Sequence, residues 1–430
     1  MFEVNIGLSG HTEVLSLAEV QSLTFFGFRL VTACGRIVTA CALQDGERLT
    51  AVRQPQLRLV ATSTAFGVWC PGGDVVTWGD PQSGGDNSAV AERLRNVQQV
   101  QATQQAFAAI LGDGSVVAWG DPTCGGDCSE VQEQLRNVQR LWATGSAFAA
   151  ILADGSVVTW GEACDGGDSS GVQEQLRDVQ QLQATCYAFA AILQDGSVVT
   201  WGNPHDGGDS SAVQSHLRNV RWVEGSCLAF AAILANGRVV TWGDPDCGGD
   251  TSAVQDQLRD VQQLAATDGA FAATLKDATV VTWGKPDYGG DSSQVQHLLR
   301  QVQQIQATQS AFAAILADGS VVTWGNSQSG GDSSAVQDQL KDVRQIQGSA
   351  SSFAAILADG SVVSWGNKLH GGDSSEVQNQ LRKVLQIHAT EAAFAAILAD
   401  GSVVTWGSPC CGGESSAVQD QLRNVQQGCI

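Results

Sequence analysis

Nine Trp-Gly dipeptides recur along this chain at an interval of 41 residues, from Trp78 to Trp406, and no insertion interrupts the series. A phenylalanine keeps the same step from Phe66 to Phe394. A fixed period of this length marks a repeat architecture, in which no unit buries its own apolar face and stacked neighbours share one continuous core. Nine units occupy about residues 56–428 of a 430-residue chain, which is longer than a single hydrophobic core normally serves.

One unit, Val302 to Leu340, shows how each is built. Gln304 to Ala307 alternates polar and apolar residues, as a half-buried strand does. Phe312 to Leu316 is apolar throughout, which suits a strand sandwiched between two sheets. Asp318-Gly319 reads as a two-residue hairpin turn with both residues at positive φ, and Val321 to Trp324 returns as a third strand. The same turn recurs along the array, except that Asp277-Ala278 puts alanine where positive φ is needed, so distortion is expected there. Beyond Trp-Gly, a Gly-Gly-Asp loop leads to Ser334 and Gln337, spaced as a capping box, with Val336, Leu340 and Val343 on one stripe. This predicts a short helix.

The chain is therefore mainly β: nine three-stranded repeats, each with a short helix. Stacking them buries Trp119, Trp160, Trp201, Trp242, Trp283, Trp324, Trp365 and Trp406 as the repeat core, each ring worth roughly 1.5–3 kcal/mol by area. Such a stack closes into a β-propeller or stays an open repeat solenoid, and the repeat count leaves nine blades, eight with a remainder, or a spiral.

At these residues the sequence resembles the regulator-of-chromosome-condensation repeat family, whose pattern includes a V-x-x-W-G strand, a glycine-rich loop, a V-x-x-V strand and an A-x-x-L-x-x-D-G hairpin. Here it reads Val-Val-Thr-Trp-Gly, Gly-Gly-Asp, Val-Gln-Gln-Ile and Ala-Ala-Ile-Leu-Ala-Asp-Gly, over about seven-eighths of the chain. The resemblance implies a propeller. Two departures stand out: the family usually has a longer repeat and a histidine where this chain has phenylalanine. The compact unit is more similar to the three-stranded blades of the bacterial β-lactamase-inhibiting propellers of the same superfamily, and family propellers usually have seven blades. Residues 1–55 carry no repeat and form a separate segment ahead of the array at 56–430. Met1 to Leu17, Arg29 to Val38 and Leu43 to Val52 resemble ubiquitin-like strands, which implies a small β-grasp-like segment, truncated because only Ala18 to Phe28 is left for its helix. The other reading of this segment is an N-terminal cap of the array.

The net charge is −21, from 23 basic and 44 acidic residues. With no basic stripe to displace counterions, nucleic acid is not an expected partner, whereas a basic protein is. No run of roughly 18 apolar residues and no signal peptide occur, so no membrane partner is expected and the location reads as cytoplasmic or nuclear. The twelve cysteines form no CxxC pair, which suits reduced thiols. Cys186 and Cys227 nevertheless occupy one repeat position in neighbouring units, and Cys410 and Cys411 adjoin, which leaves limited redox chemistry open. An acid follows Gly-Gly in every unit, from Asp86 to Glu414, but calcium needs six to eight oxygens, so these acids read as caps. The scattered histidines show no triad or metal spacing, and no P-loop or dinucleotide fingerprint appears. No catalytic residue, metal or cofactor is therefore assigned, and the chain is not expected to be an enzyme.

Comparing the nine units with one another locates their variation in two segments: the pair before Ala-Phe, and the stretch between Trp-Gly and Gly-Gly. Following the chain direction puts both at one end of the array. Tyr187, His205, Leu228, Tyr288, Leu369 and His370 are the expected partner-binding anchors there. The function expected is a non-catalytic protein-interaction scaffold or adaptor. A link to ubiquitin pathways is implied by the N-terminal resemblance and by the family's presence in HECT-type ligases, although no HECT domain follows the ninth repeat. Guanine-nucleotide exchange on a small GTPase, the founding member's activity, would need residues inserted between strands, for which the unbroken period leaves no room. A structural array without a single partner is the other alternative.

Overall fold

The computed structural model describes residues 2–5, 28–32, 48–53, 58–69 and 72–416. Strands Phe2–Asn5, Phe28–Thr32 and Arg48–Arg53 form an antiparallel sheet with the last of them in the centre. Most residues that carry the ubiquitin-like resemblance, including 6–27 and 33–47, lie outside the described residues.

From residue 58 onward each repeat folds into one three-stranded antiparallel sheet whose strands lie in sequence order, so every blade comes from a single repeat. Blade 1 spans Arg58 to Gly79, blade 2 Val97 to Gly120, and so on to blade 9, Val384 to Gly407. The first strand of each blade is innermost: its upper end lines an axial cavity. The middle strand, Ala-Phe-Ala-Ala-Ile-Leu in most units, is buried on both faces, because its alanines let the neighbouring sheets close in on either side. The outer strand ends in Trp-Gly, and Phe and Trp are cross-strand partners, as in Phe312 and Trp324. Their rings stack with centroids 5.1–5.3 Å apart in all nine blades.

The lower hairpin differs from the two-residue turn expected. In blade 7 the Gly319 N–H donates to Leu316 O at 2.9 Å and the Leu316 N–H to Ser320 O at 2.9 Å, which encloses three residues, 317–319. Only Gly319 is left-handed, at φ 76. Asp318 keeps an ordinary φ and uses its carboxylate to accept the Ser320 N–H at 2.9 Å and hydroxyl at 2.6 Å. Nor is the alanine turn of blade 6 distorted. Ala278 takes φ 62, and Ala278 and Leu275 make the same two backbone bonds, each 2.9 Å. The strain of a left-handed alanine, about 1–2 kcal/mol, is confined to one residue.

The helix predicted after Gly-Gly is instead a run of turns, tightened at Ser129–Val131 into a single 3-10 turn. Gln337 shows why. Its amide donates to Val321 O at 3.0 Å while its carbonyl accepts from the Ser333 hydroxyl at 2.8 Å, so the side chain pins the connection to the outer strand instead of reaching back to the Ser334 N–H, which donates to the Asp332 carboxylate. The apolar stripe is real: Leu340 and Val343 are buried between blades 7 and 8, with Val336 packed beside them. The regular single turns lie one segment earlier, between Trp-Gly and Gly-Gly, as at Pro122–Cys124 and Pro204–Asp206.

These connections set the spacing between blades. Gly330 is left-handed, and a Cβ on it would stand 2.6 Å from the Phe353 ring of the next blade. Each Trp indole from blade 2 to blade 9 donates to the corresponding glycine carbonyl behind it at 3.0–3.1 Å. The Trp78 indole of blade 1 makes the same bond to Gly412, which follows blade 9, at 3.4 Å. Phe66, Val68 and Trp78 share a buried cluster with Ala393, Ala395 and Ile397. The stack is therefore a closed nine-bladed propeller, and the open solenoid is excluded.

Candidate interaction face and axial mouth

Each blade turns at its upper end through Thr or Ser, and in seven of the nine that hydroxyl ties the two variable segments together. Thr185 Oγ1 donates to Asp206 O at 3.1 Å, Thr267 Oγ1 to Tyr288 O at 2.9 Å and Ser349 Oγ to His370 O at 3.1 Å. The inner turn and the outer single turn of a blade thus form one rigid rim at the upper end. A residue next to the hydroxyl links blade to blade. From Ser63 through Gln104, Cys186 and Asp268 to Glu391, each backbone N–H donates to the carbonyl one blade onward, at 2.8–3.2 Å over eight steps. At the ninth, the Ser63 hydroxyl donates to the Glu391 carboxylate at 2.6 Å.

This annulus surrounds an axial cavity of about 500 Å³. Its wall carries Asp268 and Glu391, which comparison of the repeats did not single out as anchors, while Glu224 and His388 stand one residue before the lining residues Gly225 and Ala389. Burial and the like charge of Glu391 push the Asp268 carboxyl up to about 6. On the inner strand of blade 5, burial pushes Glu224 up to about 7 against the Trp222 indole, which donates to it at 3.0 Å. Burial also lowers His388 on blade 9. The signal for the annulus was in the sequence, as the first residue of each variable pair, but its meaning depends on the ring being closed.

The six anchors are distributed over blades 4, 5, 6 and 8 rather than gathered at one spot. Tyr187 and Leu228 are half-buried at the inner turns. Cys227, then burial, Cys186 and the acids Asp165 and Asp206 push the Tyr187 hydroxyl above its ordinary range. His205 is exposed on the outer turn of blade 4. Tyr288 packs its ring against Gly269, with the Lys285 ammonium 5.9 Å from the ring centre. Leu369 is 77% exposed, whereas His370 is half-buried with an unpartnered Nδ1.

Acids occur at both ends, as Asp318 and Asp342 show at the lower one, whereas the cations are unevenly divided. The upper turns hold Asp80, Asp121, Glu162, Asp165, Asp206, Asp244, Asp246 and Asp287, against Lys285 and Lys368. Burial, then the neighbouring Asp244, pushes the Asp206 carboxyl up, so acids on successive blades feel one another. The arginines sit near the lower end, most of them just before the inner strands, as Arg136, Arg177 and Arg300 do. The acids after Gly-Gly are engaged in their own loops: all nine accept a backbone N–H two residues on, at 2.8–3.0 Å. Among the described residues no helix is long and apolar enough to cross a membrane.

No family model matches the chain, and no curated protein matches it. Solved propellers are similar to it in structure. Prp20p from Saccharomyces cerevisiae, described with its binding to Gsp1p and histones, is 14% identical over 64% of this chain and 83% of its own, with a TM-score of 0.40. The same yeast protein bound to Kap60 is 14% identical over 79% of this chain and 88% of its own, with a TM-score of 0.43. Human WBSCR16 is 14% identical over 60% and 85%, with a TM-score of 0.37. The repeating three-stranded sheets of this chain themselves make the β-propeller.

Proposed function

We propose that this protein is a non-catalytic interaction scaffold that holds a basic segment of a protein partner on its upper face, over the axial mouth. The observation that supports this reading is the coincidence of two asymmetries on one scaffold. Side chains vary at the upper turns while the lower hairpins stay nearly constant, and the acids of the upper turns face few cations. A rigid rim that presents different side chains from each blade suits recognition, and an acidic surface steers a basic partner toward it. Tyr187, Leu228, Tyr288 and Leu369 supply the apolar contacts in this reading, with His205 and His370 beside them. The eight described cysteines are free thiols, which supports a reducing compartment, cytoplasm or nucleus.

Affinity capture tests this, with the wild type compared against a folded variant carrying Tyr187→Ala, Tyr288→Ala and Leu369→Ala, and against another carrying Asp206→Asn and Asp268→Asn. Partners lost by both variants, and released from the wild type by raised salt, are the expected result. An unchanged partner list would overturn the face assignment, and an empty one would favour a structural array.

A further inference from the structure

Cys186 and Cys227 stand at equivalent positions on blades 4 and 5, and both line the axial cavity. The Cys186 N–H donates to Cys227 O at 3.0 Å. Ordinary bond lengths then hold the two Cα atoms within about 7 Å, the outer limit for a disulfide. Both are free and half-buried. We propose that this pair is a modification site, at which a low-molecular-weight disulfide oxidises the two thiols to a disulfide that joins blades 4 and 5 at the axial mouth.

The chemistry is a double exchange. One cysteine gives up its proton and attacks a sulfur of the oxidant R–S–S–R, which breaks that bond and expels RS⁻. The second cysteine then attacks the mixed disulfide at the first, expels a second RS⁻, and the released protons end on the two departing thiols. Two electrons pass from the protein pair to the oxidant, and neither protein sulfur is left charged. That neutrality matters here. The Cys186 thiol beside it, burial, and the acids Asp268 and Asp206 push the Cys227 thiol far above the ordinary range, so a lasting thiolate is disfavoured while a neutral disulfide is not. Cys128 and Cys247 are buried singly and have no such neighbour across a blade boundary among the described residues. The proposal stands on the pair itself and does not depend on the partner assigned above.

The test incubates the reduced full-length protein with oxidised glutathione, blocks remaining thiols by alkylation, and maps peptides by mass spectrometry without reduction. A linked peptide joining residues 186 and 227, released by reductant, is expected from the wild type and from the Cys410→Ser, Cys411→Ser variant. Cys186→Ser and Cys227→Ser are each expected to give no link. Recovery of both wild-type cysteines as separate alkylated peptides or separate glutathione adducts would overturn the proposal. So would a link that vanishes when Cys410 and Cys411 are replaced.

Discussion

Asp268 shows how a single side chain acquires new properties from a closed ring. Its carboxyl titrates near 6 in the folded protein, against about 3.9 in an unfolded chain. The folded state therefore holds this proton more tightly than the unfolded state does. Its contribution is fully present below about pH 4 and is lost as the pH rises through 6. Asp268→Asn has no such loss. The stability difference between variant and wild type is expected to move in the variant's favour by about 1–3 kcal/mol between pH 4 and pH 7, measured by denaturant unfolding. A gap that stays constant with pH would contradict the burial of this carboxyl. The sequence shows an acid here, but its neighbour in energy, Glu391, is 123 positions away and meets it only across the mouth.

At the scale of the element, strands were legible and connections were not. Phe, Trp and the small residues around them fix the middle and outer strands, because only a doubly buried sheet accepts that pattern. Ser334 and Gln337 misled because a capping pair and a loop in which Gln337 instead bonds Ser333 and Val321 use the same residue types, and the choice depends on a strand that local spacing cannot see. The turn at Ala278 was misjudged for a different reason. Three-residue hairpins need one left-handed residue rather than two, and the bonds on either side hold alanine there. Ala278→Gly is expected to raise stability by about 1 kcal/mol, seen as a higher melting temperature, whereas Ala317→Gly one blade later gains nothing. No gain at 278 would mean that the alanine carries no strain.

At the scale of the whole molecule, the closed ring makes nine equivalent boundaries out of eight covalently connected ones and a seam. Blades 9 and 1 meet with the same kinds of contact as the others, though the Trp78 indole reaches Gly412 at 3.4 Å where its counterparts span 3.0–3.1 Å. The array beginning at Pro55 is expected to keep the melting temperature of the full chain if residues 1–55 fold as a unit of their own, measured calorimetrically on both. A large drop would show that they brace the ring instead.

Because every blade is completed within its own repeat, no strand among the described residues is lent from one end of the chain to the other. Its fastening is a press-stud rather than a stitch. Pulled apart, such a ring would part first at this one clasp and open as a coil of intact blades, without a strand being torn from a sheet. The same clasp is where a longer or shorter series of units would have to meet again, and here it is made by Phe66 against Gly412.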